Sequence, residues 1–180
     1  IKLKKVLNAK DLFKSIMKTQ LETGMPYIFF KDRANEVNHN SHMGMIGNGN
    51  LCMESFSNFK PTINFEEKVD GNTAVRTSDM GEIHTCNLIS LNLAELTSDE
   101  IEKHVSLAIR ALDNTIDLTV TPLKESNKHN LLYRTVGVGA MGLADYLARE
   151  YMIYEDSINE INELFERIAL YSVKSSALLA

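Results

Sequence analysis

The sequence predicts an α/β fold built on a parallel sheet or barrel. Apolar runs of strand type occur near residues 27–30, 83–93 and 133–138, and segments with helical spacing separate them. The sequence shows no long region of strand-type pattern alone. Strands that alternate with helices are typical of parallel sheets, because a helix is the usual crossover between two parallel strands.

The first helix is predicted from about Ala9 to Thr23. Apolar residues recur there at a spacing near 3.6, and Gly24 provides a stop signal. Pro26 then leads into a strand-type run over residues 27–30.

Three polar segments follow. Residues 31–50 are rich in glycine and asparagine and are predicted to form a loop. Residues 51–56 are predicted to be a short strand or loop, and the polar residues 57–81 to be exposed and variable in form.

The next strand is predicted over residues 83–93, where apolar and polar residues alternate over much of the length. Thr97 and Glu100 have the spacing of a capping box, which predicts a helix start. The buried stripe of that helix is predicted to be Ile101, Val105, Ala108, Leu112 and Ile116.

The last predicted elements are a strand over residues 133–138, a helix over residues 140–150 and a helix beginning near Ser157. Glu160 would complete a second capping box with Ser157. The apolar face of the last helix is predicted to be Ile158, Ile161, Leu164, Phe165, Ile168 and Tyr171.

Composition limits the function classes. The formal net charge of −5 argues against a broad nucleic-acid interface, which normally needs clustered Lys and Arg. No apolar run approaches the roughly 20 residues that cross a membrane. Two cysteines are too few for a disulfide scaffold, which favours a reducing, cytoplasmic location. The chain opens with Ile1 and ends inside a helical pattern, so residues 1–180 are expected to form a single incomplete domain.

The segment from Asn50 to Glu54 offers the clearest chemistry. If it is extended, the side chains of Asn50, Cys52 and Glu54 share one face, because strand side chains alternate. A thiol can provide a nucleophile or a radical, a carboxylate can take a proton, and an amide can orient a hydroxyl. The alternative is that Cys52 is a buried apolar thiol with no chemical role.

Other motifs are less specific. Cys86 is either a core cysteine on a strand or a redox thiol, and with His84 it is a weak candidate for a metal site. His39 and His42 are a second weak candidate pair, so no metal is expected. Residues 137–142 match the dinucleotide pattern GxGxxG, but close packing of a strand against a helix explains the glycines as well.

A mildly basic stretch is expected to be a solvated loop face. It contains Lys124, Lys128, His129 and Arg134.

Three segments in order resemble the large, catalytic subunit of class I ribonucleotide reductases. Residues 50–54 (NLCME) resemble the family's catalytic N-L-C-x-E loop, residues 81–93 its cysteine-bearing strand, and residues 134–147 the strand–helix unit that follows. Residues 23–28 also fit. The resemblance implies that residues 1–180 are an internal, central part of the family's ten-stranded α/β barrel, with Cys52 on a finger loop.

The resemblance also implies a radical mechanism. Cys52, as a thiyl radical, would remove the ribose 3′ hydrogen of a ribonucleoside diphosphate, Glu54 would deprotonate the 3′ hydroxyl, and Asn50 would bond the sugar hydroxyls. Cys86 would be one half of a redox-active disulfide whose partner cysteine is absent from this chain.

The implied partners and cofactors lie outside the chain. They are the remainder of the large subunit, a metal-containing small subunit that generates the radical, and thioredoxin or glutaredoxin as reductant. ATP and dNTP effectors are implied for the full subunit. No cofactor is expected to bind this segment directly, and the segment alone is expected to make no deoxynucleotide.

Two other readings remain open from the sequence. A cobalamin-dependent ribonucleotide reductase shares the barrel and the finger-loop cysteine. A non-catalytic α/β homologue would keep both cysteines buried and inert. A disulfide-exchange protein is disfavoured, because the two cysteines are far apart and form no CxxC motif.

Overall fold

The computed structural model describes residues 5–63, 65–70 and 73–180. Residues 65–70 and 73–78 are described by their backbone. The chain divides into two compact units, residues 1–56 and 57–180. Each unit is described by itself below.

Helix α1 (Ala9–Thr23) begins and ends where the sequence predicts. The Asn8 side chain accepts hydrogen bonds from the backbone N–H groups of Lys10 and Asp11, at 3.0 and 3.3 Å. Gly24 ends the helix in the left-handed conformation, with φ of 75°, and donates its N–H to the Gln20 carbonyl.

The remainder of the first unit differs from the prediction at two places. Residues 27–30 are irregular, so the strand prediction is wrong there. A strand needs a neighbour for its ladder bonds, and no residue in the described part of the chain supplies one. Helix α2 (Lys31–Glu36) and a 3₁₀ turn (Ser41–Met43) interrupt the predicted loop.

The second unit opens with a β-hairpin that the sequence analysis missed. Strands β1 (Phe65–Asp70) and β2 (Thr73–Ser78) are antiparallel, with Phe65 paired to Ser78 and Asp70 to Thr73. The expectation of variable form is therefore wrong for these residues.

A parallel pair of strands confirms the predicted α/β class. Strand β3 (Leu88–Asn92) pairs with β4 (Gly137–Met141), with Leu88 opposite Gly137 and Asn92 opposite Met141. Both strands differ in extent from the prediction: β3 begins only at Leu88, so residues 83–87 precede it, and β4 continues to Met141.

Two helices connect this parallel pair. Helix α3 (Ile101–Leu118) follows a 3₁₀ turn at Ser98–Glu100, and the predicted capping box is present. The Glu100 carboxylate accepts from both the Thr97 N–H and its hydroxyl, at 3.1 and 2.7 Å. Helix α4 (Lys124–Tyr133) was not predicted, and it contains Tyr133, which was expected in a strand.

The core of the second unit lies between β3, α3 and the last helix, α6 (Ile158–Leu179). All five residues of the predicted α3 stripe are buried. The buried cluster consists of Leu91, Leu93, Ile101, Val105, Ala108, Ile109, Leu164 and Ile168.

The ends of the last two helices correct the sequence analysis. Helix α5 (Leu143–Arg149) is shorter than predicted, because β4 occupies Ala140. Helix α6 begins as predicted, but the second capping box is wrong: the Ser157 hydroxyl donates instead to the Ile153 carbonyl at 2.7 Å. Of its predicted apolar face, Ile158 and Phe165 are exposed.

Candidate active site

Residues 49–56 form a tight turn rather than an extended strand. Gly49 and Phe56 form an isolated antiparallel bridge. Inside it, the Asn50 N–H donates to the Ser55 carbonyl at 3.1 Å, and the Met53 N–H donates to the Asn50 carbonyl at 3.2 Å. Met53 has a positive φ of 62°, which reverses the chain direction.

The turn brings together two of the predicted site residues. The Asn50 amide donates to the Glu54 carboxylate at 2.5 Å, and its oxygen accepts from the Ser55 N–H at 3.0 Å. The expected geometry, in which positions 50, 52 and 54 share a strand face, is therefore wrong. Asn50 and Glu54 meet because the chain folds back between them.

Cys52 lies at the apex of this turn and is exposed, as is its neighbour Leu51 at 82%. The reading of Cys52 as a buried apolar thiol is therefore wrong. In the sequence it stands between Asn50 and Glu54, whose side chains are hydrogen-bonded to each other.

An asparagine that the sequence analysis did not single out anchors the loop before the turn. The Asn35 amide in α2 donates to the Ile46 carbonyl at 2.8 Å and accepts from the Ile46 N–H at 2.8 Å. Ile46 is buried, at 7% exposure. This paired bond acts as a short ladder and holds the glycine-rich segment to α2.

Cys86 belongs to the second unit and lies two residues before β3. It is exposed, so the reading of a core cysteine on a strand is wrong. Neither Cys52 nor Cys86 forms a disulfide. Both thiols are therefore presented at the surface of their own units.

A buried polar cluster lies beneath the segment that bears Cys86. His129 in α4 is fully buried, and its Nε2 lies 3.0 Å from both the Ser57 hydroxyl and the Asn58 carbonyl oxygen. Because a carbonyl only accepts, Nε2 carries a proton. Among the described residues, Nδ1 has no hydrogen-bond partner.

Electrostatics in this cluster favour a neutral imidazole. Burial lowers the pKa of His129, although the Asn58 carbonyl and the Glu82 charge act in the opposite direction. The Glu82 side chain is 2% exposed and pairs with the Lys128 ammonium at 3.4 Å. Burial and the nearby Glu82 charge raise the pKa of Tyr133, whose hydroxyl donates to Glu82 at 3.3 Å.

These contacts correct the prediction of a solvated basic loop. Lys124 is exposed, but Lys128 pairs with buried Glu82 and His129 is enclosed. Arg134 pairs with Asp113 at 2.6 Å and with Asp117 at 2.8 Å, which ties the end of α4 to α3.

The glycine motif serves strand packing. Gly142 has φ of 75°, and a Cβ there would lie 2.8 Å from the Asn92 side-chain oxygen. A dinucleotide site also needs a further parallel strand after the helix. The described residues after Met141 contain helices and no strand.

The described residues form neither a metal site nor a membrane span. In the described ranges, no three His, Cys, Asp or Glu side chains group closely enough to hold a metal ion. No described helix has the length and apolar character needed to cross a bilayer.

Comparison with known proteins decides the family. The family model described as ribonucleotide reductase, barrel domain, matches residues 1–180. The chain belongs to this family. This membership confirms the resemblance drawn from the sequence, and with the β3–β4 pair it confirms the α/β barrel class.

Members of this reductase family from distant organisms are similar over nearly the whole chain. The ribonucleoside-diphosphate reductase subunit alpha of Synechocystis sp. is 48% identical over 180 residues, covering 100% of this chain and 21% of that protein. The Helicobacter pylori subunit alpha is 34% identical over 218 residues, covering 99% and 28%. The Plasmodium falciparum large subunit is 28% identical over 179 residues, covering 98% and 21%.

The chain therefore spans between about a fifth and just over a quarter of the length of these ribonucleotide reductase relatives. The names of these relatives give no support to a cobalamin-dependent enzyme.

Proposed function

We propose that this chain is the part of a ribonucleoside-diphosphate reductase large subunit that carries the radical-forming cysteine. The observation that supports this most directly is the turn at residues 49–56. There, Asn50 bonds Glu54 across the turn, and Cys52 stands exposed between them in a member of the reductase family.

The three turn residues have complementary roles in the first chemical step. The Cys52 thiyl removes the 3′ hydrogen atom from the ribose and becomes a thiol. Glu54 takes the proton of the 3′ hydroxyl, and the Asn50 amide orients the sugar hydroxyls. An ionised carboxylate only accepts hydrogen bonds, so the bond from the Asn50 amide is compatible with Glu54 acting as a base.

Cys86 acts in the second step. The 2′ hydroxyl leaves as water, and two electrons with their protons come from the Cys86 thiol and a second thiol in the remainder of the subunit. These two sulfurs become a disulfide, the 3′ hydrogen returns from Cys52, and the Cys52 radical is restored. A dithiol protein of the thioredoxin or glutaredoxin class then reduces the disulfide through further cysteines of the complete subunit.

The proposal requires partners that this chain does not contain. The remainder of the large subunit completes the barrel and shields the radical from water, since a thiyl abstracts hydrogen only in enclosed, fixed contact. A metal-containing small subunit supplies the radical, and ATP or dNTP effectors regulate the complete subunit. We place this enzyme in the cytoplasm, where a reducing thiol pool keeps both cysteines ready.

The experiment compares Cys52→Ser and Cys86→Ser in the complete subunit, assayed with small subunit, dithiothreitol and a 3′-tritiated ribonucleoside diphosphate. Cys52→Ser should abolish both deoxynucleotide formation and tritium release, because nothing removes the 3′ hydrogen. Cys86→Ser should form no deoxynucleotide but should release tritium, because with the later reduction blocked the tritium taken up by the Cys52 thiol exchanges with water and does not return to the sugar.

Leu51→Ala is the matched control, since Leu51 is exposed beside Cys52 and has no proposed role. It should match the unsubstituted subunit both in the rate of deoxynucleotide formation and in tritium release. Deoxynucleotide formation by Cys52→Ser at a rate comparable to the unsubstituted subunit would refute the proposed function.

A further inference from the structure

The segment that bears Cys86 is held at its C-terminal end by the sheet and elsewhere by helix α4. The β3–β4 register begins at Leu88, and the Gly137 N–H donates to the Asn87 carbonyl at 2.9 Å, so residues 81–86 lie before the first bond of the ladder. A thiol in such a segment is fixed only if neighbouring residues are held by other contacts. Those contacts come from α4 and the residues directly after it.

The segment is anchored on the N-terminal side of Cys86 through Lys128. The Lys128 ammonium donates to the Met80 carbonyl at 2.6 Å and pairs with the buried Glu82 carboxylate at 3.4 Å. The Ile83 N–H also donates to the carbonyl of Glu125 in α4, at 3.2 Å.

The residues on either side of Cys86 are anchored as well. The Thr85 hydroxyl donates to the side-chain oxygen of Asn130 in α4. The Asn87 amide donates to the Thr135 carbonyl at 3.2 Å. Cys86 is therefore held between two neighbours that are both tied to α4 or its C-terminal extension.

The burial pattern of α4 fits this task. Its buried residues are Ser126, His129 and Asn130, all polar, whereas its leucines Leu131 and Leu132 are exposed. Burying an amide such as Asn130, at 4% exposure, is costly unless its polar atoms are paired. The buried face of α4 is polar and therefore contributes hydrogen bonds to the neighbouring segment. A typical amphipathic helix would bury apolar side chains there.

We infer that Asn130, acting through the Thr85 hydroxyl, is a positioning residue for Cys86 in the disulfide-forming step, with Lys128 and Glu82 as the second anchor. The inference rests on the proposed function, because it requires Cys86 to be a redox thiol. Reduction at the 2′ carbon needs the sulfur held within contact distance of both the ribose and its partner thiol. Loss of the anchor leaves the Cys52 step intact and slows the Cys86 step.

The test measures deoxynucleotide formation against tritium release from 3′-tritiated substrate in the complete subunit with its small subunit. Asn130→Ala should lower the ratio of deoxynucleotide formed to tritium released by about 10- to 100-fold, the range expected for misplacing a reacting group by about 1 Å. Asn130→Asp keeps an acceptor oxygen for the Thr85 hydroxyl and should restore much of the ratio.

Leu131→Ala is the control on the same helix, because Leu131 is 71% exposed, and it should leave the ratio unchanged. If Asn130→Ala does not fold, Thr85→Val removes the same bond from the other side, and Thr85→Ser restores the donor. An unchanged ratio in Asn130→Ala or Thr85→Val, or an equal fall in both signals without rescue, would overturn the inference.

Failure of the proposed function has a different signature. In that case Cys52→Ser, or Cys86→Ser, would itself form deoxynucleotide at the normal rate. If Cys52→Ser and Cys86→Ser are inactive but Asn130→Ala keeps the normal ratio, the inference about Asn130 fails and the proposed function stands.

Discussion

At the scale of single residues, the site is built from short polar contacts that hydrophobic patterns do not reveal. Asn50 bonds both Glu54 and the Ser55 N–H, and Asn35 makes a paired bond with Ile46. Each asparagine side chain makes hydrogen bonds to the backbone of an irregular segment, at Ile46 and at Ser55, that a neighbouring strand would otherwise make. Such residues determine where Cys52 lies, although they bury little apolar area.

Buried His129 gives a prediction about pH. Its pKa in the folded chain is lowered by burial, whereas the unfolded chain binds a proton near the ordinary value of about 6.5. Below that pH the unfolded state binds more protons, so the free energy of unfolding falls as pH falls, by at most about 1.4 kcal/mol per pH unit for one proton. Urea unfolding at pH 7.5 and 5.5 measures this loss.

His129→Gln is the matched variant for the pH measurement, because glutamine can still donate to the Asn58 carbonyl. The groups facing His129 are Glu82, Tyr133 and the His84 ring, whose centroid lies 5.1 Å away. These groups remain in the variant. The fall between the two pH values should therefore be smaller in His129→Gln; an equal fall in both proteins would contradict the assignment.

At the scale of elements, the sequence predicted those whose signals are local or apolar. The Ala9–Thr23 helix has its own cap residues, and the α3 stripe repeats every three to four residues, so both were found. Helix α4 buries Ser126, His129 and Asn130, which a hydrophobic pattern reads as solvent-facing. No local pattern could show that Glu82 and Thr85 would lie against that helix.

The β1–β2 hairpin and the Cys52 turn were missed for related reasons. The hairpin strands are largely polar, although the Asp70-Gly71-Asn72 sequence between them is a turn signal that could have found it. The turn at Cys52 depends on the left-handed backbone conformation of Met53, which cannot be predicted from the residue type alone. The residue identities of this candidate site were therefore predictable, but their geometry was not.

The strand–helix junction at Gly142 gives a prediction at this scale. A side chain there must adopt φ of 75° and meet the Asn92 oxygen at 2.8 Å. Gly142→Ala should therefore lower the free energy of unfolding by about 1–2 kcal/mol or more. Gly139→Ala is the control, because its Cβ would meet its nearest neighbour, Ser90, at an ordinary 3.4 Å. Urea unfolding should give a higher free energy of unfolding for Gly139→Ala than for Gly142→Ala. A higher value for Gly142→Ala would contradict the strain predicted at this junction.

At the scale of the whole molecule, one apolar cluster links distant parts of the second unit. Leu91 and Leu93 come from β3 and the turn after it, Ile101 to Ile109 from α3, and Leu164 and Ile168 from α6. The parallel β3–β4 pair needs a long crossover, and α3 covers it with apolar side chains. Cys86 belongs to this unit.

Ile101 tests this core, because its side chain is 1% exposed. Ile101→Ala should reduce the free energy of unfolding by about 2–5 kcal/mol, and Ile101→Val by about 0.5–1.5 kcal/mol. Leu107→Ala, at a position on the same helix that is 54% exposed, should have little effect. Denaturant unfolding of the three variants provides the comparison, and a loss below about 1 kcal/mol for Ile101→Ala would contradict the assignment of this cluster as the core.

The pairing of β3 with β4 uses only one flank of each strand. The opposite flank of each presents a row of amide and carbonyl groups, and in the described ranges no other strand covers either row. Such uncovered rows recruit further strands by backbone pairing alone. In a barrel domain, these two edges are where the backbone of further strands can pair with β3 and β4.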